Sequence, residues 1–275
     1  MLTYKEAIKI RRSVRNYENK AIEPGLLLKV SELLKDPEIG PYGNKPRFVL
    51  VEKSDAKKNY KVKLGTYGFI SNARYFIGGA IEKFEYSEVD YGYSLENIII
   101  ELTRLGLGTC WLGGSLNRKD YETLLKLKED EIIPCITPVG YHAQSKRFLE
   151  KIKDKFSDPS QRKPPEELFF ENTPVIPLEF NKKYKYNQVL ELLRLAPSAM
   201  NKQPWRVIKI DNKYHFYIDR KKKESGKSID LQKVDIGIAL CHFKIGVKEL
   251  SLNGKWHISD PGVGEWEYII SWIAE

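Results

Sequence analysis

Apolar positions along the chain follow two periods. Residues 30–35 read VSELLK and residues 189–194 read VLELLR, both with the spacing of an amphipathic helix. Residues 93–105 carry a longer helical pattern whose middle, LENIIIEL, is apolar on nearly every side. Such a helix is expected to be central and buried. Shorter runs, VIKI at 207–210 and YHFYID at 214–219, read as strands. Both amphipathic helices soon meet a proline-containing connector, GPYGNKPRFVLV at 40–51 and APSAMNKQPWRVIKI at 196–210.

The order of elements therefore occurs twice: helix, connector, strand, long apolar helix, then a Gly/Asn turn into a further strand. Residues 90–111 read DYGYSLENIIIELTRLGLGTCW and residues 235–256 read DIGIALCHFKIGVKELSLNGKW. At a constant offset of 145 (235 minus 90), the Asp, the Gly, Leu95/Leu240, Leu105/Leu250, Leu107/Leu252 and the final Trp coincide without gaps. Interleaved helices and strands predict a mixed α and β class built from two related halves, 1–165 and a shorter 166–275. The halves differ at three places. IRRSVRNY at 10–17 has no counterpart before Val189, the first connector is shorter than the second, and EIIPCITPVGYHAQSKRF at 131–148 has no clear copy after Trp256. A site assembled from the unique pieces would occur once per chain.

Composition narrows the function classes. The chain has 275 residues, 41% hydrophobic and 30% charged, a soluble globular balance. No run of eighteen apolar residues is present, and charges occupy the N-terminus where a signal peptide needs an apolar core, so a cytoplasmic protein with no membrane partner is expected. The net charge of +9 comes from scattered lysines, and no nucleic-acid-binding signature accompanies it. Attraction for anionic ligands is the milder implication. The densest run, RKKK at 220–223, reads as a solvated turn. Cys110, Cys135 and Cys241 are widely spaced and the four histidines form no ligand motif, so neither a metal nor a disulfide framework is expected.

Three segments carry candidate chemistry. Arg11, Arg12, Ser13 and Arg15 place planar guanidinium donors around a hydroxyl, which suits a phosphate or an electron-rich carbonyl edge. The same cations at a helix C-terminus also suit its dipole. In PSAMNKQPW, prolines pin the backbone while Ser198, Asn201 and Gln203 offer polar groups to a planar heterocycle; Ser198 and Asn201 could equally cap a turn. In LGLGTCWLGG at 105–114, Gly106 and Gly108 read as helix-ending residues, and Gly113 and Gly114 remove side chains where a ligand could approach the backbone. No dinucleotide fingerprint or P-loop is present.

Together IRRSVRNY, APSAMNKQPWRV and GLGTCWLGG resemble the flavin-dependent nitroreductase family. Their order and the internal duplication look most like its fused-repeat members, of the thermophilic nitroreductase type. The resemblance implies an α+β fold holding FMN between two subunits; here the two halves would pair as a pseudo-dimer within a monomer. It implies that Arg11, Arg12, Ser13 and Arg15 touch the phosphate and the pyrimidine side of the ring. Pro197, Ser198, Ala199 and Asn201 would line the ring or ribityl chain from the other side. Gly113 and Gly114 would lie beside N5, and Arg162, with Lys163 next to it, would reach the phosphate. Glycine at 113 stands where many members carry a carboxylate. The implied activity is hydride transfer from NAD(P)H through FMN to a small acceptor such as a nitroaromatic or quinone, with no protein side chain as catalyst. A flavin-storage or redox-sensing module without turnover is the alternative.

Overall fold

A computed structural model describes residues 1–60, 64, 66, 68–114, 117–143, 161–181, 183–220 and 229–275. In the N-terminal half, helices α1 (Tyr4–Ile10) and α2 (Pro24–Lys35) precede strand β1 (Arg47–Glu52), helix α3 (Lys53–Tyr60) and strand β2 (Tyr75–Glu82). The long helix α4 (Ser87–Arg104) follows, then β3 (Gly108–Thr109), α5 (Arg118–Leu125), β4 (Glu131–Ile132) and β5 (Ile136–Gly140). The C-terminal half runs β6 (Phe169–Glu171), α6 (Lys185–Arg194), β7 (Trp205–Ile210), β8 (Lys213–Ile218), α7 (Leu231–Glu249), β9 (Gly254–His257) and β10 (Glu267–Ala274).

Each half has its own sheet. The first runs β1-β2-β5-β3, with β4 also on β2, and every pairing is antiparallel. The second runs β6-β7-β8-β10-β9, antiparallel except for the parallel edge pair β6–β7. Without β6, the second sheet has the order of the first. In the second half the two strands between connector and long helix, β7 and β8, match the apolar runs at 207–210 and 214–219; the first half has two as well, where the repeated pattern placed one. It also found no copy of 131–148 after Trp256, yet β10 holds the sheet position that β5 holds. Strand pairing needs an extended, alternating segment and does not need matching identities, so the correspondence is topological and invisible residue by residue. Residues 144–148 of that segment lie outside the described residues.

Helices α4 and α7 form the centre, buried nearly all round as their apolar patterns require. Leu95, Ile98, Ile99, Ile100 and Leu102 on one, and Ile236, Ile238, Ala239, Leu240 and Phe243 on the other, are at most 2% exposed. Their crossing uses glycines at matching positions. A Cβ on Gly92 would meet the backbone of Val234, and one on Gly237 (92 plus 145) would meet the backbone of Val89, where 89 plus 145 is 234. The contact is thus reciprocal, as in an isologous interface.

The helix ends match too. Gly106, left-handed at φ +78, closes α4 with Gly106 N–H on the Thr103 carbonyl (3.0 Å) and Leu107 N–H on that of Leu102 (2.9 Å). After α7, Ser251 takes that role at φ +50, with bonds to Lys248 (3.1 Å) and from Leu252 to Val247 (3.0 Å). Gly108 was expected to end the helix as well; it instead leaves room for Val14, whose Cγ2 would lie 2.8 Å from a Cβ there. Arg220, read as a solvated turn, is held by Glu267 and by Asp230 at 2.6 Å. Lys221–Lys223 fall outside the described residues.

One ion pair in the first sheet sets an acid limit. Arg47 donates Nε and Nη2 to Glu131 at 2.7 and 2.6 Å, and the Lys128 N–H adds a third bond at 3.0 Å. These donors, Arg47 foremost, pull the Glu131 carboxyl down to about 2. A depressed carboxyl contributes its stability above the unfolded value of about 4.3, and loses it as pH falls from there through the folded value. Glu131→Gln is therefore expected to flatten the decline of unfolding free energy below pH 4 or so, as read from urea midpoints across that range. An unchanged acid slope would count against the pair.

Candidate active site

The arginine–serine segment emerges from α1, whose start is fixed by a capping box between Thr3 and Glu6. Beyond Ile10 the chain extends and runs beside β3. Ser13 bridges Thr109, and Val14 N–H donates to the Thr109 carbonyl at 2.8 Å. The close approach depends on Gly108. Ser13 and Arg15 reach the Cys110 thiol, whose pKa burial raises against the pull of Arg15 and the Ser13 hydrogen bond.

Arg11 turns inward instead. Its side chain is 7% exposed, and Nε lies 3.9 Å from Oε1 of the fully buried Glu96. Nε and Nη1 have no hydrogen-bond partner. Glu96 is shared further: Trp111 donates Nε1 to it at 2.7 Å, and His242 Nε2 lies 2.8 Å away. The other histidine nitrogen, Nδ1, donates to the Leu192 carbonyl at 3.0 Å because a carbonyl can only accept. This cluster ties α4, α7 and the end of α6 to the segment carrying Arg11.

The second connector faces it. Ser198 Oγ accepts from Gln203 N–H at 2.9 Å, and its carbonyl accepts from Asn201 N–H at 3.0 Å. Gln203, 2% exposed, accepts from Lys163 N–H at 2.8 Å and donates to the carbonyls of Gln161 and Asn201. Gln203 thus staples the segment around Arg162 onto the connector. Met200, Asn201 and Gln203 all have left-handed backbones, at φ of 53°, 53° and 48°. Three such residues in four carry local strain of the kind that concentrates at binding sites.

Arg162 donates Nη1 to Asn201 Oδ1 and Nη2 to the Leu195 carbonyl at 3.2 Å, while Nε is buried without a partner. Burial, with Arg11 and Arg194 alongside, pulls its guanidinium down to about 10. Arg194 is neutralised by both oxygens of Glu191. Arg11 shares its nearby carboxylate, Glu96, with Trp111 and His242, and Arg162 bonds only neutral acceptors, so their unpartnered N–H groups suit an anion.

The two segments meet. A cleft with about 540 Å³ of open space is lined by Arg11, Arg12, Ser13, Arg162, Pro197, Ser198 and Asn201, together with Ile8, Lys9 and Leu195. Four expected residues lie outside this lining. Arg15 sits by Cys110, and Ala199 donates its N–H to Asp235 Oδ1 at 2.9 Å. A Cβ on Gly113 would meet Leu231 Cδ2 at 2.7 Å and Cys135 Sγ at 2.9 Å, so protein packing already accounts for that glycine; Gly114 faces open space.

Glu96, His242 and Asp235 were not singled out as site residues from the sequence. The available signals were a carboxylate inside the apolar run LENIIIEL and a histidine inside the apolar CHFKIG of the matching helix. Asp235 was read only as a marker of the internal match. Among the described residues, no group of three or more His, Cys, Asp or Glu side chains could hold a metal ion, and no helix is long and apolar enough to cross a membrane.

Comparison with solved structures gives the fold a context. A crystal structure from Thermotoga maritima MSB8, described as a nitroreductase, matches with a TM-score of 0.63 at 21% identity, over 99% of this chain and 94% of that one. A nitroreductase family protein from Clostridium novyi NT matches at 0.43 and 21% identity, over 52% of this chain and 87% of that one. A nitroreductase with bound FMN from Bacteroides fragilis NCTC 9343 matches at 0.41 and 23% identity, over 53% and 91%. At these identities the likeness to the Thermotoga structure is one of fold. No curated protein matches the chain. The family model described as "Putative TM nitroreductase" matches residues 3–247. That match takes in the arginine–serine segment, the second connector and His242, and the chain accordingly belongs to this nitroreductase family.

Proposed function

We propose that the protein is an FMN-dependent oxidoreductase that takes reducing equivalents from NAD(P)H and delivers them to a small acceptor, such as a nitroaromatic or a quinone. One observation carries this reading: two part-buried arginines, with buried N–H groups that lack partners, converge on a cleft walled by a proline-bounded polar connector. That donor set fits a phosphate group, and family membership makes FMN the phosphate-bearing ligand to test first. FMN, when bound, supplies the hydride chemistry.

The chain's own residues then bind and orient. Arg11 and Arg162 neutralise the phosphate, with Arg12 and Ser13 at the cleft rim. Pro197, Ser198 and Asn201 form the opposite wall, held in shape by Gln203, with Ala199 anchoring it from behind to Asp235. Arg15, Gly113 and Gly114 border the ring end, where Gly114 leaves its backbone open to a planar ligand. Reciprocal glycine contacts, matched helix ends and matched sheet order support an internal duplication, 1–165 and 166–275, acting as a pseudo-dimer within a monomer. Only the first half has the arginine–serine segment, so one flavin per chain is expected.

The test is a titration of the purified protein with FMN and with riboflavin, which lacks the phosphate. Bound flavin absorbing at about 450 nm should bleach on anaerobic addition of NADH or NADPH. Arg11→Ala is expected to weaken FMN by about 10–100-fold, the value of one charged hydrogen bond, and riboflavin far less. Equal losses for both ligands would remove the phosphate assignment. Flavin that binds but resists both nicotinamides would leave a storage or sensing module instead of an enzyme.

A further inference from the structure

The two connectors provide an internal control for each other. In the first half, Asp90 is fully engaged: Oδ1 accepts from Tyr42 N–H at 3.0 Å, and Oδ2 accepts from Asn44 N–H and Asn44 Nδ2, both at 2.9 Å. In the second half Asp235 stands at the position of Asp90, 145 residues on, and Ala199 N–H donates to its Oδ1 at 2.9 Å. Asn201 stands at the position of Asn44, in the Asn-Lys pair that both connectors share. The parallel then breaks. Asn201 turns to Arg162 and to the Gln161 carbonyl, and Asp235 Oδ2 is left without a partner in a residue only 3% exposed. Arg162, whose Nη1 donates to Asn201 Oδ1, has a second buried donor, Nε, that is likewise without a partner. The Asn201 amide thus serves Arg162, while Asp235, at the place of the Asp90 that Asn44 serves, lacks a partner on Oδ2.

We propose that Asp235 is a positioning residue of the cleft, and that Asn201 passes from Arg162 to Asp235 when a phosphate group binds. The inference rests on the phosphate-binding reading above. A phosphate offers Arg162 the acceptors that Asn201 Oδ1 now supplies, and charge-assisted bonds to phosphate outweigh a bond to a neutral amide. The released amide then donates Nδ2 to Asp235 Oδ2, as Asn44 does to Asp90. That move seats the second connector against α7 from both oxygens of one carboxylate and closes its wall over the ligand.

Protonation should follow the move. In the ligand-free protein, burial pushes the Asp235 carboxyl up to about 8, against the Ala199 N–H and the cation of Lys202, with Asp230 adding to the rise. The Cys135 thiol also faces it, itself pushed up by burial. A second donor on Oδ2 favours the carboxylate, so binding releases the proton to solvent. The sign is then fixed: affinity rises with pH up to about 8, by at most tenfold per unit. The phosphate's own second ionisation lies lower, near pH 6 or so.

The experiment is side-chain NMR on the full-length protein, following the Asp235 carboxyl carbon and the Asn201 amide while FMN or inorganic phosphate is added. The expected result is a shift of the Asn201 amide and a fall of at least one unit in the Asp235 midpoint at saturation. Asn201→Asp gives an independent reading, because a carboxylate at 201 pairs with Arg162 and is repelled by Asp235. That variant should lose at least about tenfold in FMN affinity and little in riboflavin affinity. Tight FMN binding with an unmoved Asp235 midpoint overturns this inference and leaves the flavin assignment standing. Failure of both FMN and phosphate to bind overturns both.

Discussion

Gly237→Ala lowers the unfolding free energy by about 3 kcal/mol or more, as the expected outcome of urea titration at constant slope. The added Cβ would lie 2.9 Å from the Tyr93 nitrogen and the Val89 carbonyl carbon, and nearer still to the Val89 oxygen. All three are backbone atoms of α4, so no side chain can swing away. The helices must separate, and every buried apolar residue along the seam loses packing with them. Alanine gains about 1 kcal/mol over glycine in helix propensity, which is too little to offset that loss. Gly92→Ala, facing Val234 in the reciprocal contact, is expected to behave alike. Gly25→Ala is the control: it lies in α2 with nothing within 4 Å of its Cβ position and should be neutral or slightly stabilising. Comparable stability of the Gly237 and Gly25 variants would show that the helix seam can yield.

Glu96→Ala is the second large effect, about 3–5 kcal/mol of destabilisation. The reason is what remains. Arg11 loses its nearest counter-charge, His242 loses its Nε2 partner, and Trp111 Nε1, half-buried, is left with no acceptor. Glu96→Gln keeps one acceptor oxygen and should cost less than alanine. Replacing Glu96 and His242 together by leucine should cost less than the sum of the single changes, by about 0.5–3 kcal/mol, because removing one already strands the other. Additive losses would mean that the two do not act as a pair. On the proposed FMN reading, affinity for FMN should also fall with Glu96 in any folded variant, because Arg11 lies against that carboxylate at the cleft.

The parts of this site that were readable in advance are contiguous in sequence. Arg11, Arg12 and Ser13 sit in one stretch and Pro197, Ser198 and Asn201 in another, and their residue types advertise polar work beside constrained backbone. The structure brings both stretches to one cleft. Gly113 and Gly108 show the opposite case. Both were legible as glycines with a purpose, and the structure packs one against Leu231 and Cys135 and the other against Val14. A missing side chain marks a close approach without saying what approaches.

Polar groups inside the core were the least legible. Glu96, His242 and Asp235 each look misplaced on an apolar helix until a partner from another element is known. Burying a carboxylate is unfavourable alone and acceptable when donors converge on it, so its meaning resides in the neighbours. The two aligned tryptophans make the same point. Trp111 donates to Glu96, whereas Trp256 stacks edge-on against Trp272 at 4.9 Å in an aromatic cluster. Matching positions in sequence acquired different partners.

By itself the sequence determined the element types, the buried central helices, the twofold recurrence of helix, connector and strand, and the two segments that carry the polar chemistry. These follow from periodicity and from local backbone restriction, which act over a few residues. Only the tertiary structure decided that β10 takes the sheet place of β5, that Gly92 and Gly237 make one reciprocal crossing, and that Arg11 and Arg162 are left with unmet donors in a shared cleft. Those outcomes depend on which groups from distant parts of the chain arrive within hydrogen-bonding distance, and burial sets the cost of arriving without a partner.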